Sequence, residues 1–522
     1  MKCSFKGSLL FDPTDCYHDY QCGEEALEDD VHCIFHVEKT RPPDGALQAQ
    51  LSKWEALYLR CEQEFPQLLQ RVLDDPEVTE GDFRGFKLFS LALPKTVSKP
   101  VNFEDSDFDF VSVENVEFRG HVNFGRCKFR DIADFSSCIF QEAVDFNSAE
   151  FAQSALFAET KFMSEVTFWG TKFKAAWFRN SAFASVNFFM AEIDGKAVFD
   201  EATFSSLAHF THSKFNGDAS FVKVVFGSAS SFSSSIFGAL ADFEETQFGV
   251  MSDFSKVTFL GRVRFQNSTF KEVSFGALDL GKSSDVVFET LSLSSASFLD
   301  TDLQEIRFRD VRWYRLAGSP FLGHRRASLW DEFRPLVAKP RDFERIAENY
   351  RQLVLAYERK RDFEIAEDFH IGEMEMRRKK IAANFKDPRV RKMREWINAY
   401  SFYRRLSNYG TSYVQAIVVL VLFLCMFSVA FLYSGFRSTE NPPRTIEYNV
   451  LPDESHHHVS TREWVGDYFS AMSLSASIAT FQRDRFYEPL PGISRFWLFV
   501  SAVGLTGQVA MILLALRRRF RR

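Results

Sequence analysis

The chemistry-bearing residues gather toward the two ends of the chain. Four of the eight cysteines, Cys3, Cys16, Cys22 and Cys33, lie near the start, with His18, His32 and His36 among them. Asp12, Asp15 and Asp19 follow the N-terminus closely without an apolar stretch, so this segment does not read as a secretory leader. Reduced cysteines clustered with histidines point to a metal site instead of disulfides. Zinc takes four tetrahedral Cys and His ligands, and Cys33-Ile34-Phe35-His36 supplies two from one tight turn. No ligand position looks open to water, which makes the zinc structural. Toward the other end, Ser473, Ser475, Ser477 and Thr480 offer hydroxyls within an apolar stretch, and Gln508 brings an amide to a second one. At membrane depth such groups line a water path or serve small-residue packing. Gly504 and Gly507 read as a bend point in the inner helix, and His456-His457-His458 as solvated loop, with metal or proton sensing as the alternative. There is no phosphate-binding Gly-Lys-Ser/Thr loop, zinc-protease helix or nucleophile elbow, so no enzyme is expected.

The elements that must position these residues follow from composition and spacing. A chain of 522 residues suggests about three domains. Its formal charge of −7 argues against a basic nucleic-acid binder. Sixty residues are Phe, and 36 of them fall between 103 and 313. From Phe118 they recur as Phe124, Phe129, Phe135, Phe140, Phe146 and Phe151, in alternating steps of six and five. Around Phe178, Phe183, Phe188 and Ile193 the steps are all five. A small residue stands two before each centre: Val122, Cys127, Ala133, Cys138, Val144, Ala149, Ala155 and Thr160. Neither the helical nor the strand period fits; a fixed short unit means turns stacked on one another.

This pattern resembles the pentapeptide-repeat family in its Phe-centred variant. The resemblance implies a right-handed quadrilateral β-helix over 101–313, with centre residues inward, in roughly ten coils and about 50 Å long. Steps of six imply bulged corners on alternate sides. Between 103 and 313 there are 30 acids and 19 bases, too modest an excess to favour DNA mimicry. The segment Tyr20-Gln21-Cys22 to His32-Cys33-Ile34-Phe35-His36 resembles a zinc-binding segment found ahead of some pentapeptide repeats. That match implies Cys3, Cys22, Cys33 and His36 as the ligands of segment 1–40, with Cys16 as the leading substitute. Within a helical cap at 41–100, Leu47, Leu51, Trp54, Tyr58, Cys61, Phe65, Leu68 and Val72 are spaced as an amphipathic helix that would cover the end of the solenoid.

Residues 325–405 read as a helical hairpin, similar to one tetratricopeptide-type unit, and a basic connector. Eleven Lys and Arg stand against Asp387 and Glu395 between 377 and 405, as on a cytoplasmic membrane flank. Residues 411–435 and 496–516 are uncharged, long enough to span a bilayer, and define a membrane domain at 411–522. Arg404, Arg405, Arg517, Arg518, Arg519, Arg521 and Arg522 flank the spans, which places both termini and the solenoid in the cytoplasm of a cell-membrane protein. Between the spans, residues 464–481 resemble the pore helix of potassium-channel-like proteins at Tyr468-Phe469-Ser470 and Ser473 to Ser477. That resemblance implies a homotetramer in the bilayer. The family's glycines are replaced by Ile478-Ala479-Thr480-Phe481, so no carbonyl ladder and no potassium selectivity are expected. The expected function is an oligomeric ion channel with a cytoplasmic sensing rod, which could take a protein or ligand on the solenoid. The competing one is a non-conducting membrane scaffold whose solenoid binds a partner protein.

Overall fold

A computed structural model describes residues 6–8, 19–21, 48–317, 325–333, 342–439, 443–448, 461–480 and 486–520. The chain divides into two units, Met1–Tyr314 with Leu329–Arg334, and Arg315–Ser328 with Pro335–Arg522.

The first unit is a β-solenoid of about 11 turns. Its short strands pair in parallel with the turn before and the turn after, as Lys128 does with Asp107 and Glu150. The centres face inward because one large apolar residue per side fills the interior, and Phe124, Phe135, Phe146, Phe157 and Phe210 are fully buried. Their rings stack in columns. In the column Phe124, Phe146, Phe168, Phe188, Phe210 and Phe232, successive centroids are 4.7–5.1 Å apart. Neighbouring columns meet edge-on, as Phe124 does with Phe135 at 5.5 Å and 69°. Offset stacks and edge contacts are the favourable aromatic geometries, and they add to the burial of each ring.

The uneven steps have a local cause. After alternate centres the chain makes a four-residue turn with its third residue left-handed, as at Arg126, Ser137, Ser148, Glu159 and Asn180. These turns accompany the five-residue steps. The sixth residue is absorbed at the other corners. There Phe151 pairs with Phe173 but Ser154 with Ala175, and Phe162 pairs with Phe183 but Glu165 with Ser185. The bulge thus lies where a six-residue step runs beside a five-residue one.

The small residue before alternate centres also carries a hydrogen bond. The side chains of Cys127, Cys138, Thr160, Thr171, Ser181, Ser213 and Thr246 donate to the carbonyls of Phe103, Val113, Phe135, Phe146, Phe157, Phe188 and Phe221 in the previous turn. Ser235 donates likewise to Phe210. Burial pushes the Cys127 thiol well above its ordinary range and the Cys138 thiol up to about 12, so both are inert spacers.

The solenoid begins earlier than residue 101. Gly81–Asp82 already pairs with Val101–Asn102, and Leu88 and Val97 occupy the places that Phe108 and Phe118 take one turn later. The helical cap is correspondingly shorter: α1 spans Gln48–Asp74. Cys61, Phe65 and Leu69 form its buried stripe, and the Phe65 ring stands edge-on 5.6 Å from Phe83, closing the first coil. At the other end Trp313 covers Phe308 at 5.2 Å, and Asp331 accepts a hydrogen bond from the Phe298 amide at 3.0 Å.

The second unit is helical. Helices α2 (Phe343–Arg359) and α3 (Phe363–Ala383) form the expected hairpin, N-capped by Asp342 and Asp362. Tyr350 and Tyr357 close on Phe369 at 6.0 and 5.5 Å. Two short helices follow, α4 (Pro388–Trp396) and α5 (Ala399–Ser407). Then come α6 (Tyr413–Ser434), α7 (Thr461–Ala479) and α8 (Ile493–Arg519), which pack on one another. A three-stranded antiparallel sheet of Phe436–Ser438, Thr445–Ile446 and Tyr487–Pro489 joins the end of α6 to the start of α8.

Candidate functional site in the helical unit

Helices α6 and α8 are long and apolar enough to cross a membrane, and only 28% and 22% of their apolar windows are buried. A core helix of a soluble protein would hide most of that surface. Here Val418, Val421, Leu422 and Met426 on α6, and Phe496, Phe499 and Val503 on α8, stay exposed. At 1.5 Å per residue both exceed the roughly 30 Å of a hydrocarbon core.

The polar residues singled out from sequence are mostly occupied within the protomer. Ser475 is fully buried and accepts from the Ser428 hydroxyl of α6 at 3.4 Å. Ser477 donates to the Leu474 carbonyl at 2.7 Å, and Thr480 to those of Ala476 and Ser477. Ser473 alone of the four has no hydrogen bond among the described residues, and it is exposed. Gln508 is 1% exposed, and its amide donates to the carbonyls of Leu406 (2.9 Å) and Ala416 (2.8 Å). It fastens α8 to the end of α5 and the first turn of α6. Gly504 lies against Phe427, Gly507 meets nothing within 4 Å of its would-be Cβ, and α8 runs unbroken through both. Ile478 and Ala479 stay in α7, and the Thr480 amide bonds the Ala476 carbonyl, so this stretch continues the helix.

Two polar nodes hold the unit together. Glu375 of α3 receives Arg378 at 2.8 Å, Arg404 of α5 at 3.3 Å and the Tyr409 hydroxyl at 2.9 Å. Burial pushes its carboxyl up, but Arg378 and Arg404 prevail and hold it below the usual carboxylate range. Burial and the neighbouring Glu375 drive the Tyr409 phenol upward. At the other end of the helices, Asp467 of α7 is buried, paired with Arg444 at 3.2 Å and bonded by the Tyr448 hydroxyl at 2.7 Å. Burial and the Asp467 carboxylate raise the Tyr448 phenol to about 12. Glu375 and Tyr409 were not among the sequence candidates. The only trace they leave is an acid on the buried side of α3 and an aromatic just ahead of a span.

The proposed zinc ligands Cys3, Cys22, Cys33 and His36, the substitute Cys16, and His456 to His458 lie outside the described residues. Next to that set, Lys6–Ser8 pairs antiparallel with Asp19–Gln21, with Lys6 opposite Gln21. Cys3 and Cys22 flank those paired ends in sequence.

Comparison with known families decides the character of the first unit. Residues 124–172, 199–247 and 232–277 match the model for pentapeptide repeats (9 copies). The chain carries pentapeptide repeats. The matched stretches all lie within the stacked-ring part of the solenoid, where steps of five and six alternate. The pentapeptide-repeat solenoid extends past them at both ends, to Gly81 and to Arg312. Curated proteins gave no match to the chain.

Proposed function

We propose that this chain is a membrane-anchored scaffold: α6 and α8 hold it in the bilayer, and the pentapeptide-repeat solenoid offers its outer faces to a partner protein. One observation carries the choice. The groups that would line a pore are already used within a single protomer: Ser475 meets Ser428 of α6, Gln508 ties α8 to Leu406 and Ala416, and Ser477 donates inside α7 to Leu474. A solenoid whose centre rings point inward leaves its outer surface for recognition. The arginines around both spans favour cytoplasmic termini, with the His456 to His458 loop outside.

A second reading keeps the homo-oligomeric channel without potassium selectivity. It is favoured by the order span, short helix, span, and by Ser473, exposed on α7. Planar-bilayer recording from the purified full chain separates the two. The scaffold predicts no unitary current. Currents that Ser477→Trp abolishes while assembly persists would establish the channel. Labelling a cysteine introduced at His457 tests the orientation, since label from outside intact cells is expected and label only after lysis reverses it.

A further inference from the structure

Between α4 and α5, directly ahead of the first span, lies a cavity of about 370 Å3 lined by Arg378, Lys392, Glu395, Trp396, Ser401, Arg404 and Arg405. Its charges do not cancel. Arg378 is balanced by Glu375 and Glu395, and Arg404 leans on Glu375. Lys392 and Arg405 have no ion pair among the described residues. The Arg405 guanidinium lies over the Trp396 ring at 4.6 Å, which fixes its direction but leaves its donors unspent. The floor of the cavity is rigid: Ser401 donates to the Glu395 carbonyl at 2.6 Å and Arg378 binds Glu395 at 3.1 Å, locking the elbow between the two helices.

The same short segment, α4 through α5, also carries uncovered apolar side chains, with Trp396 among those lining the cavity. Met393, Trp396, Ile397 and Phe402 are each at least half exposed. The cavity is also tied to the first span, because the Gln415 side chain of α6 donates to the carbonyls of Arg404 and Arg405 at 2.8 Å. A pair of uncompensated cations on the two helices that also expose apolar and aromatic side chains, just ahead of a bilayer helix, matches the boundary between headgroups and acyl chains.

We infer that this elbow is a binding site for the phosphate headgroup of an anionic phospholipid, with Lys392 and Arg405 holding the phosphate and Trp396 and Phe402 seated among the lipid chains. The inference rests on the membrane-anchored reading. Guanidinium and ammonium donors make their strongest hydrogen bonds to such oxygens. The nucleic-acid alternative fits less well, because the exposed apolar side chains would meet no counterpart on a charged backbone.

The test uses the full chain in neutral detergent and counts bound lipid by native mass spectrometry, with phosphatidylglycerol, phosphatidylcholine and inorganic phosphate as probes. Phosphatidylglycerol should be kept at least tenfold more tightly than phosphatidylcholine. In the Lys392→Gln, Arg405→Gln double variant its retention should fall roughly 10- to 30-fold, the effect of two lost interfacial cations, with phosphatidylcholine unchanged. If the double variant melts early, exposed Lys392→Gln alone should still lose several-fold. Equal retention of the two lipids, or displacement of phosphatidylglycerol by equimolar inorganic phosphate, would overturn the lipid site. Alkaline carbonate extraction separates the two levels. Release of the chain from membranes defeats the anchored reading and the site together, while a chain that stays in the membrane but shows no lipid preference defeats the site alone.

Discussion

Phe210 lies face to face with Phe232, ring centroids 4.8 Å apart and planes 2° from parallel. The same ring stacks on Phe188 at 5.0 Å and is fully buried. Phe189, one residue further along than Phe188, is only partly buried and meets the His212 ring at 5.6 Å. Phe210→Ala should therefore cost about 3–5 kcal/mol, the usual loss for a large core side chain. Phe189→Ala should cost well under half of that. Urea unfolding of the two variants checks the register, and equal losses would show it to be wrong.

The buried hydroxyls between the columns predict a smaller, more specific effect. Thr246 donates to the Phe221 carbonyl at 2.6 Å. That carbonyl also accepts the Val224 amide, so it keeps a partner when the hydroxyl goes. Thr246→Val keeps the shape and removes one bond, for an expected loss of about 1 kcal/mol, while Thr246→Ser keeps the bond and gives up one buried methyl, worth about 0.8 kcal/mol. Denaturation midpoints of the three proteins decide it. A Thr246→Val protein as stable as wild type would make the spine a packing feature alone.

The inward Phe residues were legible because each side of a coil demands one large apolar group at a fixed step. The early coils were not, since Leu88 and Val97 do the same work without matching a Phe rule. The hydroxyl spine escaped notice because Ala149, Ala202 and Val224 occupy the same place in other turns, leaving only smallness as a pattern. Gln508 stood out as polar in an apolar run. Its partners did not, because the carbonyls of Leu406 and Ala416 lie about a hundred positions away and become neighbours only through helix packing. Bonds from a side chain to distant main-chain carbonyls leave no mark on spacing.

Metal content is the next outcome to measure. Lys6 paired with Gln21 brings together two strand ends flanked in sequence by Cys3 and Cys22, and Cys33 and His36 complete a set that zinc accepts. The full chain should carry one zinc per protomer by elemental analysis. Cys33→Ser should strip it, whereas Cys16→Ser should retain it. Loss of metal from the Cys16 variant, with Cys33→Ser unaffected, would exchange the ligands; a metal-free wild type would remove the site.

His370 makes stability of the helical unit depend on pH. It sits on α3 beside a cavity of about 370 Å3 lined also by Glu358, Glu367 and Arg518. Among the described residues its buried Nε2 has no hydrogen-bond partner. Burial first, then Arg518, lower its pKa from 6.5 to about 4, against an opposing bond to the Tyr409 backbone and with a smaller push from Arg377. An unfolded chain takes up a proton near pH 6.5 that the folded one refuses until about pH 4. The stabilisation is therefore complete above pH 6.5 and is lost as pH falls toward 4, by about 3 kcal/mol over that window. Hydrogen exchange of α2 and α3 in the detergent-solubilised chain should quicken between pH 7 and pH 5 after correction for intrinsic rates. His370→Phe should flatten the difference, because the apolar ring takes no proton and fills the same space. An equal pH response in wild type and variant would remove this imidazole as its cause.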